Sequence, residues 1–148
     1  MILSIFKYTF YFELFGTFLL FFYWYDDFGS LYEAAFYSLF HAVSAFCNAG
    51  FSLFQNSLVG YVTDMPVLFI IAFLIIFGGL GFPTLFNLFY YQQAKRYGKV
   101  MHLSLHTKLS LIMTGLLLVF GTLFFFFGEA HHVLKELTLF EKWGVSFF

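Results

Sequence analysis

Three long apolar stretches dominate the chain, and each is long enough to cross a bilayer as a helix. They cover residues 5–25, 66–91 and 109–127. A helix rises about 1.5 Å per residue, so roughly 20 apolar residues cross a hydrocarbon core about 30 Å thick. Clustered aromatic residues close the first two stretches, as expected for rings that prefer the membrane interface. The pattern predicts an all-α membrane protein.

A fourth apolar segment, residues 34–46, is too short to span a bilayer. The small-residue sequence Cys-Asn-Ala-Gly follows it at 47–50, and a mixed polar stretch covers 51–62. A re-entrant pore hairpin gives this pattern, because a loop lies at membrane depth only when protein buries it or it lines a watery path. An amphipathic helix on the outer surface gives the same pattern, so both interpretations stay open at this point.

Composition excludes a water-soluble surface. Apolar residues fill 61% of the 148 positions and charged residues only 10%, whereas soluble domains carry about 25% charged residues. A net charge of -1 gives no reason to expect nucleic acid as a partner. The single cysteine, Cys47, excludes an internal disulfide and a four-cysteine metal site.

The basic residues orient the predicted helices. Lys95, Arg96, Lys99 and Lys108 lie between the second and third stretches, whereas residues 26–64 contain no Lys or Arg. Cytoplasmic loops carry an excess of these residues. We therefore expect a multi-pass protein of the cell (plasma) membrane, with a cytoplasmic N-terminus and residues 26–64 outside.

The sequence Asn48-Ala49-Gly50 has the composition that a cation filter requires. A dehydrated potassium ion needs rings of backbone carbonyls, and glycine permits the unusual dihedrals that turn carbonyls inward. A preceding short helix would also direct the negative end of its dipole at the cation. Asn and Gly are common turn residues as well, so a plain turn after a surface helix is the alternative.

Three blocks of sequence resemble the Trk/Ktr/HKT family of potassium transporters. They are FHAVSAFCNAGFSL at 40–53, GGLGF at 78–82 and LSLHTKL at 103–109, in the family's order and approximate spacing. The resemblance extends over residues 10–147. It implies four repeats of outer helix, pore hairpin and inner helix around one pore. By that measure the chain is a fragment that holds the second repeat and the first helix of the third.

On this basis the chain is expected to divide into six parts. They are an outer transmembrane helix at 1–25, an extracellular pore hairpin at 26–64, an inner transmembrane helix at 65–92, a basic cytoplasmic loop at 93–108, the outer helix of the next repeat at 109–128, and an extracellular segment leading to the next pore region at 129–148.

The resemblance also implies site residues. Cys47, Asn48, Ala49, Gly50 and Phe51 would form the potassium filter, mainly through their backbone carbonyls. Gly50 matches the filter glycine of the family. Cys47 stands where the family usually has Asn, and carbonyl coordination tolerates the exchange because cysteine is small and behaves as a modest hydrophobe. A reactive thiol or a metal ligand at Cys47 is the weaker alternative.

Two further features of the apolar stretches are candidates for function. Glu13 lies midway along the first stretch, where a carboxylate is costly and marks a function or a partner. It could anchor the pore-helix region or take a direct part in conduction. Gly78, Gly79 and Gly81 lie in the second stretch, where small residues allow close helix packing or a hinge in the inner helix.

The histidines suggest a rival function, a non-conducting membrane anchor or a haem-binding redox subunit. His41 lies in the predicted pore helix, and His102 and His106 are spaced to share a helical face that could hold a metal. His131 and His132 follow the third stretch. Haem ligation needs paired histidines on facing helices at membrane depth, whereas these lie near helix ends, so transport is favoured.

The expected partners follow from the predicted transport function. They are a potassium ion, with sodium preference and coupling to sodium or protons left open, the lipid bilayer, and the remaining repeats of a parent transporter. The resemblance further implies a homodimer and a cytosolic nucleotide-binding regulatory subunit. Ion movement down a gradient needs no covalent chemistry, so we expect neither enzymatic activity nor a cofactor.

Overall fold

The computed structural model describes residues 2–129, 134–135 and 137–148. Within these ranges the secondary structure is helical and contains no strand, which confirms the all-α prediction. The α-helices are α1 (Ile2–Trp24), α2 (Leu31–Phe46), α3 (Met65–Leu80), α4 (Phe82–Arg96), α5 (Leu105–Glu129) and α6 (Leu139–Phe147). A short 3-10 turn at Val59–Tyr61 lies between α2 and α3, in residues 47–64, which are called the outer loop because the sequence predicts them on the outer side.

Among the described residues, α1 and α5 are each long and apolar enough to cross a membrane. The inner helix predicted over 65–92 is divided instead into α3 and α4, which meet at an angle of 94°. Gly81 joins them with φ 75° and ψ 155°, a conformation that essentially only glycine adopts. The apolar pattern continues through this break, which is why the sequence predicted one helix.

The core is formed where α1, α2 and α3 pack together. Leu20 and Trp24 of α1 and Leu74 of α3 are fully buried in it, together with Ala42 of α2. Ser30 begins α2 by accepting a hydrogen bond from the amide of Glu33, a stabilising N-cap. The short helix α2 therefore packs against α1 on one side and α3 on the other, and this packing positions its C-terminal end.

Aromatic rings close the outer end of this core. The Trp24 ring centroid lies 5.3 Å from that of Phe54 and 5.5 Å from that of Tyr61. The Tyr61 hydroxyl donates a hydrogen bond of 3.3 Å to Asp27. The outer loop is thus tied to the end of α1 by both packing and a polar contact.

We expect this contact to make the fold sensitive to alkaline pH. Burial of the Tyr61 hydroxyl, together with the nearby charge of Asp27, raises the pKa of Tyr61 to about 12. A folded-state pKa above the unfolded value of about 10 contributes stability that is complete below pH ~10 and is lost as pH rises through the folded pKa. The Tm of the purified chain in detergent should therefore fall more steeply between pH 10 and 12 than that of Tyr61→Phe. The exposed Tyr97→Phe is the control, and equal slopes for all three proteins would contradict the prediction.

The remaining helices lie at the edge of the core. Thr107 is the one buried residue of α5, so the apolar surface of that helix is available to lipid or to other protein segments. Phe126 of α5 stacks on Trp143 of α6 with ring centroids 4.4 Å apart. A capping box between Thr138 and Glu141 begins α6, within the segment expected to lead to the next pore region.

Candidate cation filter

The candidate filter loop, residues 47–50, begins where α2 ends. The amides of Cys47, Asn48 and Ala49 donate to the carbonyls of Val43, Ala45 and Ser44, at 2.9, 3.0 and 2.9 Å. These bonds satisfy acceptors that the end of a helix normally leaves free. They also fix the direction in which the loop leaves the helix.

The backbone of the loop has an unusual handedness. Asn48 has φ 53° and Gly50 has φ 72°, whereas Ala49 between them has no positive φ. The loop therefore does not continue as a regular strand or helix, because both of those have negative φ throughout. Within the described part of the chain, no hydrogen bond engages the carbonyls of Cys47, Asn48, Ala49 or Gly50. These four backbone oxygens are therefore free of protein partners within the described residues.

Phe51 is bound differently from these four residues. Its carbonyl accepts a hydrogen bond of 2.7 Å from the Ser44 hydroxyl, and its amide donates to the same hydroxyl oxygen at 3.0 Å. Both backbone groups of Phe51 are thus directed at α2. The sequence pattern contains Ser44 but gave no reason to assign it this role.

The side chain of Asn48 connects the loop to α3. Its amide nitrogen donates to the carbonyls of Ile75, at 3.3 Å, and Phe46, at 3.4 Å. Sequence reasoning treated Asn48 as a source of a backbone carbonyl and missed this tether. The signal was an Asn after a helix end, which is equally typical of an ordinary turn.

The three glycines have different surroundings. A Cβ on Gly78 would overlap the backbone carbonyl oxygen of Phe46, whereas one on Gly79 would meet only the Asn48 side chain at an ordinary 3.8 Å. Gly81 forms the bend between α3 and α4. Close packing of α3 against the end of α2 therefore depends on Gly78, and the change of direction depends on Gly81.

Glu13 approaches the start of the filter loop from α1. The Cys47 thiol donates to a carboxylate oxygen of Glu13 across 3.9 Å, and the Glu13 side chain is half-buried. The structure thus brings together two residues that sequence analysis considered separately. The contact joins α1 to the start of the loop, and both roles suggested for Glu13 stay predictions.

Comparison with known proteins gives the family of the chain. The sequence family described as TrkH, a cation transport protein, matches residues 1–139. The chain belongs to the TrkH family. This confirms the resemblance on which the filter prediction was based and identifies the chain as part of a membrane transport protein.

Curated relatives of this TrkH-family chain are cation uptake proteins. The Ktr system potassium uptake protein B of Vibrio alginolyticus is 43% identical over 116 residues, which cover 76% of this chain and 24% of the relative. The corresponding protein of Bacillus subtilis is 42% identical, and the potassium/sodium uptake protein NtpJ of Enterococcus hirae is 37% identical, with the same coverage. The chain spans about a quarter of the length of these relatives.

The histidines that the structure describes in this TrkH-family chain do not gather into a cofactor site. His41 is 3% exposed, and both of its ring nitrogens have protein partners. His102 precedes α5 and His106 lies within it, so they do not share a helical face, and both are exposed. His131 and His132 lie outside the described residues. No group of metal-holding side chains occurs in the described ranges, and the haem alternative is not favoured.

Proposed function

We propose that this chain supplies one of the four filter segments of a potassium-conducting pore. The observation that supports this most directly is the set of four carbonyls at 47–50 without hydrogen-bond partners among the described residues. A filter must replace the hydration shell of an ion with oxygens of this kind. Because the Phe51 carbonyl is bound to Ser44, we propose that the ligand set ends at Gly50 and excludes Phe51.

The electrostatics of the loop favour a cation. The C-terminal end of α2, where helix dipoles place partial negative charge, lies immediately before the loop, and the last turn of α2 contains no basic residue. Glu13 adds a carboxylate beside Cys47. Both the C-terminal end of α2 and the Glu13 carboxylate would repel an anion at this position.

A complete pore requires further filter segments beyond the one in this chain. The proposal therefore concerns a transporter assembled with the remaining repeats in the plasma membrane, with the N-terminus of this chain in the cytoplasm. Relatives named for potassium uptake and for potassium/sodium uptake support potassium as the ion, with sodium as a competitor. A homodimer and a cytosolic nucleotide-binding regulatory subunit belong to the same proposal.

The substitution Gly50→Ser tests the proposal. Gly50 has φ 72° and open space around its Cβ position, so serine would change the backbone conformation without a clash. Left-handed strain of about 1–3 kcal/mol should turn its carbonyl and lower the preference for potassium over sodium about tenfold or more. The protein to use is a chimera in which this chain replaces the matching quarter of the Vibrio alginolyticus relative. Sodium inhibition of rubidium uptake in a transport-deficient strain measures the preference.

Gly60→Ser is the matched control. Gly60 also has open space at its Cβ position, but it has no positive φ and lies in the 3-10 turn of the outer loop. It should leave ion preference unchanged. Equal preference in the Gly50→Ser and Gly60→Ser chimeras would show that residues 47–50 do not form a filter.

A further inference from the structure

We propose that Ser44 and His41 are positioning residues that set ion preference by holding the outer arm of the filter, defined as residues 51–53. This inference rests on the proposed filter function. Neither side chain contributes an oxygen to the ion in this arrangement. Each acts on the segment that follows Gly50, so each controls the direction of carbonyls that it does not touch.

Ser44 holds the inner end of the outer arm. One hydroxyl both donates to the Phe51 carbonyl, at 2.7 Å, and accepts from the Phe51 amide, at 3.0 Å. Ser44 is buried, with 8% of its surface exposed. The loop at 47–50 is therefore fixed at both ends, by the last turn of α2 on one side and by Ser44 on the other.

His41 holds the outer end, and its partners define its tautomer. Nδ1 lies 2.8 Å from the carbonyl oxygen of Tyr37, which can only accept, so Nδ1 carries the proton. Nε2 is then an acceptor, and it lies 3.0 Å from the Ser52 hydroxyl and 3.4 Å from the amide of Leu53. The Ser52 hydroxyl, which accepts from the amide of Phe54 at 3.1 Å, is free to donate to His41. Each donor in this chain of bonds has an acceptor.

The support for both side chains is rigid. Ser44 follows His41 by three residues on α2, so the two lie on the same face of the helix. The His41 ring lies 5.1 Å from the Trp24 ring and 4.8 Å from the Phe54 ring, between centroids. A face that is packed in this way can set the length and twist of the loop between Phe46 and Phe51. Release of the outer arm would let Ala49 and Gly50 rotate while every ligand is still present.

Two pairs of variants separate this role from general stability. Ser44→Ala removes the hydroxyl, whereas Ser44→Thr keeps it and adds one methyl group at a residue that lines cavities of about 290 and 320 Å³. His41→Asn reaches only the position of Nδ1, whereas His41→Gln places an amide oxygen near the position of Nε2. One member of each pair loses the bonds to the outer arm, and the other keeps them.

In the chimera, we expect Ser44→Ala and His41→Asn to lower the preference for potassium over sodium about fivefold to tenfold. A loss of this size corresponds to about 1–1.4 kcal/mol, which is the contribution expected of a single hydrogen bond. The substitutions Ser44→Thr and His41→Gln, each made singly, should retain at least half of the original preference. The amount of chimera in the membrane and its Tm report folding. A merely structural role would lower those quantities without changing ion preference in the protein that remains.

Cys47 supplies a second measurement that needs no transport. It is the single cysteine of the chain and is exposed at the start of the loop. In the purified chain, Ser44→Ala should change the rate of Cys47 modification by a thiol reagent about threefold or more, as expected for a loop released by roughly 1 kcal/mol, and Ser44→Thr should not.

The outcomes distinguish this inference from the proposed function. If Gly50→Ser lowers ion preference and all four variants at Ser44 and His41 retain it, the filter is supported and the positioning role is refuted. If none of these five variants changes ion preference, the proposed function fails and the inference fails with it. If Ser44→Ala and His41→Asn lower ion preference while Ser44→Thr and His41→Gln retain it, both the proposed function and the inference are supported.

Discussion

Replacing Gly78 by alanine is expected to separate α3 from the end of α2 and to abolish ion preference. The added Cβ would overlap the Phe46 carbonyl oxygen and lie 3.1 Å from the Asn48 side-chain nitrogen. The obstacle is backbone at the end of a packed helix, so it cannot move aside as a flexible side chain would. Overpacking costs about 1–3 kcal/mol, and we expect the upper end of that range. The Tm of the purified chain and rubidium uptake by the chimera measure the two effects.

Gly79→Ala is a matched control one residue away. Its Cβ would lie 3.8 Å from the Asn48 side chain, an ordinary contact, and alanine favours a helix over glycine by about 0.5–1 kcal/mol. The two substitutions should therefore have opposite signs, with Gly78→Ala lowering the Tm and Gly79→Ala leaving it equal or higher. If Gly78→Ala were as stable and as selective as Gly79→Ala, the close approach of α3 to Phe46 would not exist in solution.

Replacing Gly81 by alanine is expected to open the angle between α3 and α4. Its φ of 75° and ψ of 155° lie in a region that costs an L-residue about 1–3 kcal/mol, and a continuous helix relieves that strain. Spin labels at Phe69→Cys and Gln93→Cys, in a Cys47→Ser background, report the distance between the two helices. That distance should lengthen from the value for a 94° bend toward the value for a straight helix.

Gly115→Ala provides the comparison for this experiment. Gly115 lies within α5, with open space at its Cβ position and no positive φ, so alanine should leave the spin-label distance unchanged. An unchanged distance in Gly81→Ala as well would mean that Pro83 or packing, and not the glycine conformation, maintains the bend. The position of Pro83 immediately after the bend makes this a meaningful alternative, because proline lacks the amide that would continue the hydrogen bonding of α3.

Much of the fold could be predicted from the sequence, because the bilayer allows few solutions. Long apolar stretches must form helices when no water is present to satisfy their backbone groups, and α1 and α5 follow that rule directly. The observed α2 begins at Leu31, three residues before the predicted segment, because Ser30 supplies an N-cap. Residues 65–92 are apolar enough to predict one helix by the same rule. Hydropathy does not depend on backbone conformation, so it could not show the break at Gly81.

The candidate site was predicted in part. The resemblance selected residues 47–51, and the structure leaves the first four carbonyls free while it binds Phe51 to Ser44. The tether from Asn48 to Ile75 and the contact of Glu13 with Cys47 were not predicted. Both join residues that are far apart in sequence, and hydropathy is a property of single positions along the chain.

The sequence by itself determined the class of the protein, most of its helical segments and the place of the short helix before residues 47–50, since these follow from hydrophobic length and family motifs. Only the tertiary structure decided which polar groups meet. It assigned Gly78 to close packing and Gly81 to a bend, although both are glycines of the same apolar stretch and the sequence alone does not distinguish them. The reason is geometric: a hydrogen bond or a steric overlap depends on atoms brought within a few ångströms by packing, and no periodic pattern contains that distance.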